Sequence, residues 1–523
     1  MSLIFEKFQR YASFFIFGGL IISAACGIYL IIHASHYGPW AFSDATAYVW
    51  TAHNLAEGRG LVIQNPAGGY DLLTWHPPLF PILLSIPVAL GADALQAIRW
   101  INALSFGITI FISGFATWRY TRSMIATFGV TALTVFAIDL IFVFSGAMSE
   151  AIFFVLGFGS LFLLVEALQS NIKLSLLFFA GVLAGLSYLA RYAGIVFVGT
   201  VLIIPLLFIP GSIGKRFRVM LTAGLPAIII PIGWTIFVFL NNQTIGGRSV
   251  LPMDSFRLDF TNYTQKFWDV ITGWIPFILR GNHILPAEWK FVLGVVIVLC
   301  VLSFGIMTLL KKFVKSESHI HLIWLTAIGV FFFAYLSFHF FSYIFSSAAP
   351  AIDRRLLSPL LLSGILLMGA IFSLPLVSST KKFQPPRYIF LFYVIISLFY
   401  FQGQLRSFLY DHHHFGIGYN SKRWQESQLV QQAVSLDPRI PQSSNDPALV
   451  LFHSGRFPHS FDLFKIINEG IENTKENMYI ILFSQQAINQ YGDEAGNYLE
   501  KFKQNCNVMF EDNEGFICYW ERK

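Results

Sequence analysis

The stretch FSDATAYVWTAHNLAEGRG, residues 42–60, follows the first long apolar run of the chain and carries a carboxylate, Asp44, at its start. An acid about one turn beyond the outer end of a membrane span faces lipid headgroups and water together, so it can act as a base toward a group held there. The same position suits a helix cap worth about 1 kcal/mol, with Ser43 or Asp44 as the capping residue. A second acid, Glu150 in FSGAMSEAIFFV, lies at the expected outer mouth of a later run, where Ser149 or Glu150 can equally begin a helix. Asp139 is a nearby competitor. Ionisable groups at this depth are functional candidates by default.

Cations and an imidazole complete the set. In TWHPPLFPILL, residues 74–84, Pro77 and Pro78 are expected to impose an extended entry to an interfacial segment. His76 then sits at headgroup depth, either donating to a phosphate or anchoring the interface beside Trp75. Arg191 lies in LARYAGI, and PAIDRRLLSPLLL places Asp353, Arg354 and Arg355 at the outer start of a late run. Outward arginines run against topological bias, and their planar fork suits a phosphate or diphosphate, with Asp353 placed to orient one of the pair. Pairing to carboxylates is the plainer alternative.

The tract DHHHFGIGYN, residues 411–420, invites a metal. Three consecutive histidines cannot all reach one ion without backbone distortion, so the tract reads as a surface loop. A divalent metal is compatible with the site and not required by it; no cofactor is called for. GGRSV lacks the strand-glycine-helix context of a nucleotide loop.

The elements that must position these groups follow from composition. The 523 residues are 55% hydrophobic and only 12% charged, with mean hydropathy +0.61, which marks a polytopic membrane protein. The formal charge of +6 lies in short clusters between apolar runs, so it reads as topology and gives no support to nucleic-acid binding. Runs long enough to cross fall near 11–32, 96–118, 123–140, 149–168, 174–190, 193–210, 219–240, 290–310, 320–343, 356–376 and 387–403, about eleven spans. Basic clusters at Arg119/Arg122, Lys173, Lys215 to Arg218, Lys311 to Lys315 and Lys381 to Arg387 mark alternate connections as cytoplasmic. The N-terminus is then inside, while the connections 33–95 and 241–289 and the C-terminal tail face outward. Within the first outward connection, Ala45 to Glu57 reads as an interfacial helix stopped by Gly58, and Pro78 to Leu90 as a segment too short to span.

From residue 404 onward the chain holds 11 Lys/Arg and 15 Asp/Glu, against 24 and 14 before it, and we expect a membrane domain at 1–403 and a small extracytoplasmic α/β domain at 404–523. ALVLFH and MYIILF read as buried strands, with helical patterns at 424–435, 461–472 and 485–503. Cys506 and Cys518 flank an expected closing hairpin and are either bridged or two buried thiols.

An outward carboxylate after the first span, HPPLFP later in the same loop, SE at the fourth span and DRRLLSP before a late span, in this order, resemble the GT-C class of membrane glycosyltransferases. The likeness is to the branch of protein O-mannosyltransferases and aminoarabinose lipid A transferases and covers roughly 1–403. The resemblance implies a polyprenyl-phosphate sugar donor, a lipid, glycan or protein acceptor, surrounding membrane lipids, and a prokaryotic inner membrane as the location. It makes Asp44 the base and Glu150 a second acid at the catalytic cavity. Arg354 and Arg355 become phosphate ligands, with Arg191 an addition and His76 where relatives often carry Lys or Tyr. Asp44 is followed by Ala45, a departure from the Asp-Glu pair usual in protein mannosyltransferases. The main rival is a transporter or flippase of a lipid-linked or anionic substrate, against which stands the absence of repeated halves; an inactive carrier-lipid scaffold is the third reading.

Overall fold

The computed structural model describes residues 2–65, 69–169, 171–242, 251–252, 255–256, 260–276, 319–347, 350–374, 385–460, 477–504 and 506–521. In chain order the membrane part runs α1 (Ser2–Ala34), α2 (Ser43–Ala56), β1 (Val62–Gln64), β2 (Tyr70–Leu72), α3 (Leu79–Ala89), α4 (Ala94–Thr121), α5 (Met124–Phe136), α6 (Ile138–Phe144) and α7 (Glu150–Ala167). It continues with α8 (Leu174–Ala190), α9 (Ile195–Phe208), α10 (Ile213–Asn242), α11 (Phe260–Thr272), α12 (His319–Phe345), α13 (Arg354–Phe372) and α14 (Pro385–Phe415). Among the described residues seven helices are long and apolar enough to cross a membrane, or eight if α5 and α6, bent by 57°, form one broken span. Helices α8 and α9 match two further expected runs but are shorter, and the run at 290–310 lies outside the described residues.

Rows of large apolar side chains stay exposed on the helices, among them Ile229, Ile236 and Leu240 on α10 and Phe392 and Phe399 on α14. Exposed apolar area on this scale calls for a lipid environment. The chain is a multi-pass integral membrane protein.

Between α1 and α4 lie α2 and α3, the two short elements expected from the sequence. Helix α2 packs Ala45, Tyr48, Val49 and Ala52, at a 3–4 residue period, into the membrane core, while Ala47 on another face is buried in a separate cluster with Ile63, Leu73 and Leu451. Neither Ser43 nor Asp44 caps it: Phe42 is the cap residue, without a side-chain bond, and Asp44 lies in the first turn with its carboxylate turned elsewhere. Pro78, expected in an extended entry, already has α-region backbone (φ −84°, ψ −17°), because Leu79 after it imposes no clash and α3 starts at once.

The C-terminal part adds α15 (Lys422–Glu426), α16 (Gln428–Ser435), β3 (Gln442–Ser444), α17 (Pro447–Ser454), β4 (His459–Ser460), β5 (Met478–Phe483), α18 (Ser484–Tyr491), α19 (Ala495–Lys503), β6 (Asn507–Asp512) and β7 (Gly515–Trp520). Its sheet has the order β4-β3-β5-β7-β6, with β3 parallel to β4 and β5, and β7 antiparallel to β5 and β6. MYIILF is the fully buried central strand, as its apolar run requires.

ALVLFH is a correction: it lies in helix α17 and not in a strand. A six-residue apolar run fits either state, and the flanks decide. The Asp446 carboxylate accepts the Leu449 N–H at 3.1 Å, Pro447 occupies the first turn, and Gly455 at φ +72° ends the helix in a left-handed cap. The 411–420 tract is a second correction, because α14 runs on through Phe415. His412 and His414 donate from Nδ1 to carbonyls one turn back, Phe408 O and Tyr410 O, each at 2.9 Å, while His413 Nδ1 donates to His33 O at 3.1 Å. Among the described residues no three His, Cys, Asp or Glu side chains gather as a metal site. Cys506 and Cys518 form a disulfide, with Cα atoms 6.0 Å apart. The helical pattern at 461–472 lies outside the described residues.

Candidate active site

Two short backbone pairings set the site. Trp40 N–H donates to Ser145 O at 3.1 Å and Ala147 N–H to Trp40 O at 2.7 Å, a parallel bridge between the segments leading into α2 and α7. Gly146 permits it, since a Cβ there would lie 2.3 Å from the Trp40 ring. The bridge aligns Trp40 with Gly146, so Asp44 and Glu150, each four residues on, enter the site from neighbouring helix starts. On the other side Tyr419 N–H donates to Ala41 O at 2.8 Å and ties the segment after α14 to the same strand-like stretch.

Arg355, in the first turn of α13, joins the two acids. Its Nη1 donates to Asp44 Oδ2 at 2.9 Å and lies 3.4 Å from Met148 Sδ, while its Nε is 3.5 Å from Glu150 Oε1. Arg191, at the break between α8 and α9, meets the same Glu150 oxygen at 2.6 Å through Nη1. Glu150 is 2% exposed, whereas the Asp44 side chain remains 33% exposed. A carboxylate that buried is tolerated only because two guanidiniums face it. Glu150 therefore holds the arginines in place, and Asp44 is the acid that reaches solvent.

The electrostatics at Asp44 oppose one another. Burial pushes its carboxyl pKa up, but His76 when protonated and the charge and hydrogen bond of Arg355, with Arg191 behind, hold it below the ordinary value. At Arg191 burial pushes down and Glu150 pushes up, and the net is a raised pKa. Both cations stay charged at any working pH.

The remaining residues singled out from the sequence distribute as follows. Arg354 stacks its guanidinium on Phe142, 3.6 Å from the ring centroid, and Phe142 in turn stacks on Trp40 at 4.7 Å. Asp353 caps α13, accepting Leu356 N–H at 2.8 Å, so its bond goes to the backbone of the helix that carries both arginines. His76 Nε2 is 3.8 Å from Asp44 Oδ1. Asp139 stands apart, accepting Trp274 Nε1–H at 2.8 Å. It lines an almost wholly apolar cavity of about 1350 Å³, bounded also by Tyr263, Phe267, Leu360 and Tyr393. That cavity begins one turn along α6 from Phe142 and contains none of the ion-paired residues.

Sequence reading missed Tyr48, Ser149 and Phe142. The Tyr48 hydroxyl is 3.3 Å from His76 Nδ1 and 3.2 Å from Ser149 Oγ. Its place was readable, because Tyr48 follows Asp44 by one helical turn and must share its face. Nothing local marks Phe142 as a seat for a cation.

No protein-family model matches the chain, and no curated protein matches it. Among solved structures it is similar to ArnT from Cupriavidus metallidurans, an aminoarabinose lipid A transferase, bound to undecaprenyl phosphate. The TM-score is 0.56 at 13% identity, covering 97% of this chain and 99% of that one. The apo state of the same protein gives 0.55 at 11% identity. The archaeal oligosaccharyltransferase AglB from Archaeoglobus fulgidus, in complex with an inhibitory peptide and a dolichol-phosphate, gives 0.52 at 12% identity, over 99% of this chain and 75% of that one. The chain therefore has the fold of the GT-C membrane glycosyltransferases, with the small C-terminal sheet domain set on its helical membrane part.

Proposed function

We propose that this protein is a glycosyltransferase that moves a sugar from a polyprenyl phosphate to an acceptor hydroxyl or amine at the outer membrane-water interface, by a single inverting displacement. The observation that carries the reading is the convergence of Asp44, Glu150, Arg191 and Arg355, from four separate stretches of chain, on one partly open ionic cluster. Two structures of this fold hold a polyprenyl phosphate, undecaprenyl in one and dolichyl in the other, which supports a carrier of that class here. In this reading the membrane part, through α14, does the chemistry and the C-terminal part covers the site from outside, in the extracytoplasmic space of a prokaryotic inner membrane.

The acceptor heteroatom attacks C1 of the sugar as the C1 to phosphate-oxygen bond breaks, and the electron pair of that bond leaves on the phosphate. Charge develops at C1 as in glycosidases. Asp44, exposed toward the approach side, takes the acceptor proton and steadies C1. A carboxylate held below its ordinary pKa is a weak base, so proton transfer comes late, once the acceptor oxygen is already bonding. The departing phosphate needs fixed positive charge, which Arg355 and Arg354 supply, with Arg191 behind them. Phosphate arriving at Arg355 competes with Asp44 for that guanidinium and so strengthens the base as the donor binds. The apolar cavity beside Asp139 has the volume and character for a prenyl tail, whose burial contributes about 0.8 kcal/mol per CH₂.

Mass spectrometry of lipids co-purifying with the protein tests the donor class directly: a polyprenyl phosphate sugar supports the reading and names the sugar. Loss of transfer with retained donor binding in Asp44→Asn supports the base. Transport of the intact lipid-linked sugar, undiminished by Asp44→Asn, would replace the enzyme with a flippase.

A further inference from the structure

His76 is oriented by its neighbours. Its Nδ1 faces the Tyr48 hydroxyl at 3.3 Å, and Tyr48 is 2% exposed, packed edge-on against Phe80. Burial, then the nearby Asp44, pushes the Tyr48 pKa well above its ordinary value, so the phenol keeps its proton. The same hydroxyl lies 3.2 Å from Ser149 Oγ, so when the imidazole is neutral the phenol can donate to Nδ1 while Ser149 donates to it. A neutral imidazole that accepts at Nδ1 carries its proton on Nε2, and Nε2 faces Asp44 Oδ1 at 3.8 Å. The distance exceeds a hydrogen bond, as catalytic contacts often do before substrate arrives.

Building on the transferase reading, we propose that His76 is a positioning residue that sets the orientation and base strength of Asp44, and that it is not a ligand of the donor phosphate. One Asp44 oxygen is held by Arg355 and the other is addressed by Nε2–H, which leaves a defined lone pair for the acceptor proton. Protonation of His76 converts this neutral donor into a second positive charge on the carboxylate and withdraws its basicity. Among the groups that bear on the imidazole are Asp44 and Tyr48 from α2, Arg355 from α13, and, through these, Glu150 of α7 and Arg191. An Nε2–H aimed at a carboxylate that Arg355 already neutralises is poorly placed to receive a phosphate as well.

The test uses the full-length protein in lipid nanodiscs with a polyprenyl phosphate sugar. His76→Gln keeps a neutral N–H donor and removes the imidazole's titration; it should lower kcat less than His76→Lys does and flatten the part of the acid limb that the imidazole contributes. His76→Lys installs a permanent charge and should lower kcat about 10-fold or more with the donor Kd changed less than about 3-fold. Tyr48→Phe should fall between them and broaden the acid limb. A donor Kd loosened about 10-fold in His76→Gln, with the pH profile unchanged, would overturn the proposal in favour of a phosphate contact. A readout free of turnover separates this from failure of the transferase reading. The Asp44 carboxyl band in infrared difference spectra, identified by its loss in Asp44→Asn, should titrate at higher pH in His76→Gln than in wild type. An unshifted band would sink the positioning role even in an active transferase.

Discussion

Two helix-start carboxylates stand on facing elements and have opposite fates. Asp446 begins α17 in the C-terminal part, and Asp44 lies in the first turn of α2 at the membrane mouth. The two helices touch: Thr46 Oγ1–H donates to Ala448 O at 3.4 Å, and Ala47 and Leu451 share a buried cluster with Ile63 and Leu73. Asp446 Oδ1 accepts from Leu449 N and, at 3.0 Å, from the Tyr419 hydroxyl, and burial pushes its pKa up. Asp44 makes no capping bond, faces Arg355 and His76, and is held down. A helix-start acid that bonds its own backbone is structural. One that turns away from it, toward cations from remote sequence, is free to meet a substrate.

Asparagine substitutions break this contrast most sharply. Asp44→Asn should lower transfer by about 10²- to 10⁴-fold, the range for a positioned acid-base group, whereas Asp446→Asn, which still caps, should leave kcat within about 2-fold; initial rates in nanodiscs decide. Next in size, Glu150→Ala takes the carboxylate from Arg191 and leaves Arg355 with Asp44 alone, and should cost about 3 kcal/mol, read as loss of folded protein on heating in detergent. Asp446→Ala removes only a cap and a tyrosine bond and should cost about 1 kcal/mol, seen as faster hydrogen exchange in α17 with the membrane helices unchanged.

The smallest effect is a pH tilt of opposite sign. The depressed Asp44 contributes stability that is complete above the unfolded carboxyl pKa, about 4, and is lost as pH falls through its lower folded value. The raised Asp446 contributes stability that is complete below that unfolded value and is lost as pH rises through its higher folded one. Relative to wild type, Asp44→Asn should therefore lose stability as pH rises toward about 4 and Asp446→Asn should gain it as pH rises above about 4, measured by thermal unfolding at stepped pH.

Much of the candidate site was legible because charge inside an apolar sequence is conspicuous. Asp44, Glu150, Arg191 and Arg355 stood out by type and by lying at the ends of apolar runs, and the structure brings all four together. Their division of labour was not legible. Glu150 and Asp44 look alike in sequence, and only packing shows one sealed and the other open. Adjacent arginines likewise part company, Arg355 to carboxylates and Arg354 to the Phe142 ring, because successive helical residues point about 100° apart.

The fold divides in the same way. Long apolar runs determine membrane helices by themselves, since a chain in lipid must satisfy every backbone polar group internally and the helix does so within one segment. The six-residue ALVLFH carried no such compulsion, and its state rested on the caps around it. The sequence alone determined that this is a membrane protein with acids and arginines at the ends of its apolar runs. The tertiary structure decided which acid faces which cation, because those contacts join residues as far apart as Asp44 and Arg355 and depend on the bridge between Trp40 and Gly146 and on helix packing that no local pattern encodes.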